Sequence, residues 1–332
     1  MNQREEILTL LNRQRPAQIP CFSGLIHVTE AGLDSVGLKL HETHTDVDRM
    51  AHAAASTYRL SGFGSAAVPF ELCVEAEALG AEVDFRVNSA NLEFPRVAKP
   101  LFASCEQVNI DNAKDGRTPL VCEAIRLLKE DIGKEVVIAA FVPGPFTLLS
   151  ILVKPDTLML NLKRNPASVH TALDMMAEMV TRSALAYHKA GADMLTVHEM
   201  GGSPGVLGPK RFEAFVLPPL QKVLTALPRP KILSVCGNTN AAMPLLAQAG
   251  ADAISVDQVN DIAASRAALP KILLFGNIDP VAVLANGAEN DVRHAVSAAI
   301  VAGVDAVWPG CDLYPLTPLE NLRTMLNSTH ED

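Results

Sequence analysis

Aromatic residues are scarce, 5% of 332 residues with a single tryptophan, and no excess of basic charge compensates. Twenty-eight Lys and Arg stand against 37 Asp and Glu, a formal net charge of −9. Nucleic-acid binding needs clustered cations, so this balance excludes it as a function. The run "KRN" at 163–165 is too short to change that. No apolar stretch reaches the roughly 20 residues that span a bilayer. The opening "MNQREEILTLLNRQ" is an amphipathic helix with interspersed charges, not a signal peptide. The expectation is a cytoplasmic protein with no membrane partner. Cysteine is too sparse for a disulfide framework. Six residues, at 21, 73, 105, 122, 236 and 311, are scattered over a long chain and read as free thiols.

What is present is alternation. From residue 117 onward, apolar runs of four to seven residues alternate with segments of helical period, separated by Gly, Pro and Asn. Strands are predicted at 19–24, 63–70, 135–142, 193–199, 231–236, 251–258, 271–278 and 305–311. Helices are predicted between them, including 155–163 and 166–190. Eight strands with intervening helices give a (β/α)8 TIM barrel, and no Gly-rich dinucleotide turn follows the first strand to favour an open sheet. Residues 1–332 read as one domain without internal repeats. The segment 71–116 lacks helical period and is expected to lie over the barrel mouth as short strands and loop.

Barrel enzymes carry their chemistry at the C-terminal ends of the strands. In this chain those ends hold His198 and Glu199, Ser234 and Cys236, Asp257 and Gln258, Asn277 and Asp279, Cys311 and Asp312. Cys236 and Cys311, 75 positions apart, would face one mouth. Two thiolates on one rim can hold a zinc ion at about 2.3 Å, and they can equally be two unrelated buried thiols. Cys21 falls inside a strand, Cys105 in a polar loop and Cys122 in a helix, positions that suit packing. Cys73 is expected to face the mouth.

"SVCGNT", "ISVDQ" and "WPGCDLYPLTPLENLRTM", with "REEILTLLNRQRPAQIPCF", "VPFELCVEAEALGAEVDF", "GPFTL" and "SPGVLGPKRFEAFVLPPL", resemble in order and spacing the methylcobamide:coenzyme M methyltransferases of the uroporphyrinogen decarboxylase superfamily. The resemblance implies a zinc site that activates a thiol acceptor, with Cys236 and Cys311 as the two thiolate ligands. It implies a methylcobamide (cobalamin) methyl donor on a separate corrinoid protein, and a small thiol such as coenzyme M, or a folate, as acceptor. The family's histidine falls at Ser234, a poor ligand. His198 on the neighbouring strand, or Asp257, is expected to take its place. Glu199 and Asp257 are the catalytic candidates, and Asn238 and Asp312 the cofactor-binding candidates that would orient the ligands. Two other readings stand beside this one: a porphyrinogen decarboxylase, and a non-catalytic corrinoid-binding partner. The decarboxylase needs arginines after the first strand for its many carboxylates, and none occurs between Arg15 and Arg49.

Overall fold

A computed structural model describes residues 2–88 and 92–330. Seven parallel strands form one curled sheet in the order β1-β4-β5-β6-β7-β8-β9. They are β1 (Ser65–Val68), β4 (Val137–Pro143), β5 (Met194–Glu199), β6 (Lys231–Val235), β7 (Ala253–Val256), β8 (Leu273–Ile278) and β9 (Ala306–Pro309). The remaining two, β2 (Val83–Asp84) and β3 (Arg96–Val97), make a separate antiparallel pair. Every residue of β1, β4, β5, β7 and β9 is buried, as expected where helices cover the outer face and side chains fill the inner one.

The expected strand at 19–24 is reduced to a single parallel bridge, Cys21 to Val307. Phe22 N–H donates to Val307 O, and Val307 N–H donates to Pro20 O. On the other side this segment meets β1 through a side chain: the Ser65 hydroxyl donates to Ser23 O at 2.8 Å and accepts from Ser23 N at 3.0 Å. Pro20 offers no N–H, so a regular ladder is interrupted where the barrel closes. The TIM-barrel architecture holds, with seven regular strands and one minimal eighth.

The barrel interior is a compact apolar cluster containing Phe22, Ala67, Val137, Ala139, Met194, Ile232, Ala253, Phe275, Ala306 and Trp308. The single tryptophan packs edge-on against Phe22, ring centroids 5.1 Å apart, and lies 5.1 Å from Phe275. Ile7, Leu10 and Leu11 of the helix Gln3–Leu11 belong to the same cluster. Strand side chains alternate between faces, so the inward set continues upward in steps of two. Met194 leads to Thr196 and His198, Ile232 to Ser234 and Cys236, and Ala253 to Ser255 and Asp257.

Helices match the expected pattern at Pro155–Arg164, Pro166–Ala190 and Glu289–Ala302. Segment 71–116 contains the β2–β3 pair and also a short helix, Val74–Ala78, that the sequence pattern did not signal. Arg117 fastens this segment: Nη2 donates to Glu71 at 2.7 Å, Nε to Glu77 at 2.6 Å and Nη1 to His44 O at 3.0 Å. Among the described residues no helix is long and apolar enough to cross a membrane.

Candidate functional site

Parallel pairing places His198 of β5 directly beside Ser234 of β6, and Ser234 beside Ser255 of β7. Adjacent strands lie about 4.8 Å apart, so an imidazole at 198 reaches the space that a side chain at 234 would otherwise fill. Two residues above Ser234, Cys236 leaves the strand where Gly237 turns the chain at φ +78°. The loop after β9 brings Cys311 to the same point. The sulfurs of Cys236 and Cys311 are 2.7 Å apart, and His198 Nε2 lies 3.7 Å from Cys236 Sγ. All six cysteines are free thiols. His198, Cys236 and Cys311 form a group whose ligand atoms all lie within 4.8 Å of one another, the one cluster of this kind among the described residues.

The electrostatics are those of two thiols competing for one proton. Cys311 is held well below the usual thiol range, first by the hydrogen bond from Cys236 and then, against burial, by His198. Cys236 moves in the opposite sense for the same reason, reinforced by burial. One imidazole nitrogen and two soft sulfurs are the donor set that suits zinc. Two sulfurs on a tetrahedral ion sit about 3.8 Å apart, so seating an ion here requires the thiols to part by about 1 Å. Both are partly exposed at the rim. The residues fit the metal.

Asp312 follows Cys311. Its Oδ1 accepts from Ile26 N at 3.1 Å, and its Oδ2 is 4.0 Å from His198 Nε2. Burial, then the charge of Cys311, pushes its carboxyl up to about 7. Asp257 is outside the three-residue group. Its two oxygens accept from Gly237 N at 2.9 Å and Val259 N at 3.2 Å, which fixes the turn that carries Cys236. Asn238 is exposed, and its Oδ1 accepts from Asn240 N at 3.1 Å in a local turn.

Glu199 neighbours His198 in sequence but points to the opposite side of β5. It is fully buried and accepts from Thr147 Oγ1 at 2.6 Å, Gly202 N at 2.8 Å and Phe146 N at 3.2 Å. Thr147 Oγ1 in turn accepts from Met200 N and Gly201 N. Burial raises the Glu199 carboxyl against these donors. This residue ties the loop after β4 to the loop after β5 and does not join the thiols. Gly144 is required there, because a Cβ at that position would sit 2.1 Å from Glu199 Oε2. Thr147 and Gly144 were within reach of sequence reasoning, since "GPFTL" is one of the family segments. Their partner was not.

Fold and site together define a class: a (β/α)8 barrel with a sulfur- and imidazole-lined mouth. The chain belongs to the uroporphyrinogen decarboxylase (URO-D) family, which it matches over residues 2–332. Within that family it is 30% identical to the methylcobamide:CoM methyltransferase MtaA of Methanosarcina barkeri (strain Fusaro) over 99% of this chain and 97% of that protein. It is 29% identical to the methylcobamide:CoM methyltransferase MtbA of Methanosarcina acetivorans, over 97% and 96% of the two chains. A solved methyltransferase from Methanosarcina mazei superposes with a TM-score of 0.93 at 27% identity, covering 99% of this chain and 98% of that one.

Proposed function

We propose that this protein is a methyltransferase that moves a methyl group from a methylcobamide, carried by a corrinoid protein, to a thiol held at a zinc ion bound by His198, Cys236 and Cys311. The convergence of one imidazole and two thiols at the barrel mouth carries the reading. The full-length similarity to methylcobamide:CoM methyltransferases supports it. Bound there, zinc would favour the deprotonated form of an incoming thiol, which is the nucleophilic form.

The residues of this chain divide the remaining work. His198 and the two cysteines hold the site, and three protein ligands leave one position for the acceptor. Asp257 fixes the Cys236 turn and Asp312 fixes the Cys311 loop against Ile26. Glu199, through Thr147, ties the loop after β4 to the loop after β5. The acceptor loses its proton to water, its sulfur forms a bond to the methyl carbon, and the carbon–cobalt bond breaks with both electrons left on cobalt. A small thiol such as coenzyme M fits this scheme, and a folate is the second candidate acceptor. Segment 71–116 serves as the cover over the mouth, and the cytoplasm is the compartment that keeps the thiols reduced. The decarboxylase reading lacks the arginines it needs after the first strand, none occurring between Arg15 and Arg49.

The test is metal content. Purified protein is expected to hold about one zinc per chain, and the Cys236→Ala/Cys311→Ala double variant none, with unchanged circular dichroism. Full occupancy in the double variant would refute the assignment.

A further inference from the structure

Parallel pairing sets one row across the sheet: Pro143 on β4, His198 on β5, Ser234 on β6 and Ser255 on β7 are neighbours in register. All belong to the inward set, since Ala139, Met194, Ile232 and Ala253 line the barrel interior and alternate residues of a strand share a face. The three polar members are buried, with 0%, 2% and 0% of their surface exposed. Nδ1 of His198 and Oγ of Ser255 are buried without a hydrogen-bond partner, a costly state for polar groups. The Ser234 hydroxyl stands between them. On the other side of His198 in the row is Pro143, whose side chain has neither donor nor acceptor. Thr196, two residues below on the same face, is placed elsewhere: its Oγ1 lies against Gly24, where a Cβ would sit 2.3 Å from it.

We propose that Ser234 is a positioning residue for His198: its hydroxyl accepts a hydrogen bond from His198 Nδ1–H and donates one to Ser255 Oγ. The proposal rests on the zinc reading above and deepens it. An imidazole that gives Nε2 to a metal carries its proton on Nδ1, and the bond made there sets both tautomer and ring orientation. Nε2 is at the tip of the ring, 3.7 Å from the Cys236 sulfur two residues above Ser234. Nδ1 is nearer the backbone and therefore nearer the row itself. With neighbouring strands about 4.8 Å apart, one rotation about the Ser234 Cα–Cβ bond brings its oxygen to Nδ1. Serine is too short and too weak a donor to serve the metal from position 234. It has the length and the chemistry to serve the imidazole on the next strand. The row ends at Ser255, since its neighbour on β8 is Phe275.

The experiment measures zinc affinity by chelator competition on the full chain and on Ser234→Ala, Ser234→Thr and Ser255→Ala, with thermal unfolding as the check that each variant folds. Ser234→Ala is expected to bind zinc about tenfold more weakly, the lower end of what losing such a partner costs, and Ser255→Ala about twofold more weakly. Ser234→Thr returns the hydroxyl and is expected to bind like the wild type. A second readout is spectroscopic and uses the zinc-loaded wild type with isotope-labelled histidine. The Nδ1–H of His198, assigned by its disappearance in His198→Ala, is expected as a slowly exchanging low-field ring proton. In Ser234→Ala that proton should move upfield and exchange faster, and in Ser234→Thr it should stay. Unchanged zinc affinity in Ser234→Ala, an unchanged ring-proton signal, or a folded Ser234→Thr as weak as Ser234→Ala overturns the proposal. Full affinity in His198→Ala, or a wild type that holds no zinc, overturns instead the reading on which it stands.

Discussion

The two ends of the barrel use the same side chain in opposite ways. At the N-terminal end three aspartates, each just before a strand, are matched by cations. Asp193 accepts from Arg4 at 2.6 Å and also pairs with Lys129. Asp252 pairs with Arg229 at 2.7 Å and Arg13 at 3.8 Å, and Asp305 with Arg266 at 2.7 Å. Each also accepts a backbone N–H at the start of a neighbouring strand: Ile138, Lys231 and Leu274. At the C-terminal end, Asp257, Asp279 and Asp312 accept backbone N–H groups and have no Lys or Arg partner among the described residues. Charge is neutralised where the barrel is only held together. At the rim that carries the thiols, backbone N–H groups take the place of those cations.

That contrast can be broken from either side. The largest effect is expected at the mouth: His198→Ala should lower zinc affinity by orders of magnitude in a metal titration, with little change in unfolding midpoint. Ser234→His in that background should restore part of the affinity, because the register sets the two positions side by side. If Asp257→Ala lowers affinity as much and His198→Ala does not, the carboxylate is the third ligand.

Next comes the base. Asp193→Ala leaves Arg4 and Lys129 without their shared partner and is expected to cost about 3–5 kcal/mol by urea unfolding, with zinc content per folded chain unchanged. Burial alone would raise the Asp193 carboxyl, yet Arg4, Lys129 and the Ile138 N–H hold it below its ordinary 3.8. A depressed folded value stabilises above the unfolded one and is lost as pH falls through it. The variant should therefore lack part of the wild-type loss of stability below about pH 4. Loss of zinc without loss of stability in this variant would erase the division between the ends.

A third effect, about 3 kcal/mol or less, tests the segment that follows β1. Glu75 is buried, its Oε1 has no hydrogen-bond partner, and burial pushes its carboxyl up to about 7. The folded chain keeps a proton that the unfolded chain releases above about 4.5. Stability is therefore full below that pH, falls as pH rises to about 7, and then levels. Melting curves of Glu75→Gln between pH 4.5 and 8 should be flatter than those of the wild type. The smallest effect is at Asp279, whose Oδ1 caps Val281 and Ala282. Asp279→Asn keeps an acceptor and should leave stability, read from the unfolding midpoint, within about 0.5 kcal/mol of the wild type, with zinc content per chain unchanged.

Much of this was legible in the sequence. The alternation of apolar runs and helical periods set the barrel, and the placement of Cys236 and Cys311 at strand ends put them at one mouth. Three things were not legible, each for a physical reason. The register between parallel strands depends on packing around the barrel, so the sequence placed His198 on the strand beside Ser234 but could not choose between it and Asp257. Pleating sends Glu199 away from His198, which the pair of letters does not reveal when both are polar. A short repeat also escaped detection. Ala-Gly-x-Asp occurs at 190–193, 249–252 and 302–305, and its glycines take φ of +117°, +88° and +105° before the aspartates turn toward the cations. Four residues are too few for a periodicity search, and the copies are 59 and 53 positions apart.

The closing bridge at Cys21 gives the barrel a clasp. Six of the eight contacts between neighbouring staves are ladders of three to five residue pairs, whereas the first segment is held by one bridge on one side and a serine hydroxyl on the other. A hoop under thermal stress parts at its fastening, so the amides of Phe22 and Ser23 should exchange with solvent ahead of those in β5 and β6. Beyond that fastening, Ile26 N–H holds Asp312, next to Cys311. Slackening the clasp therefore loosens one jaw of the thiol pair and leaves the other, on β6, in place.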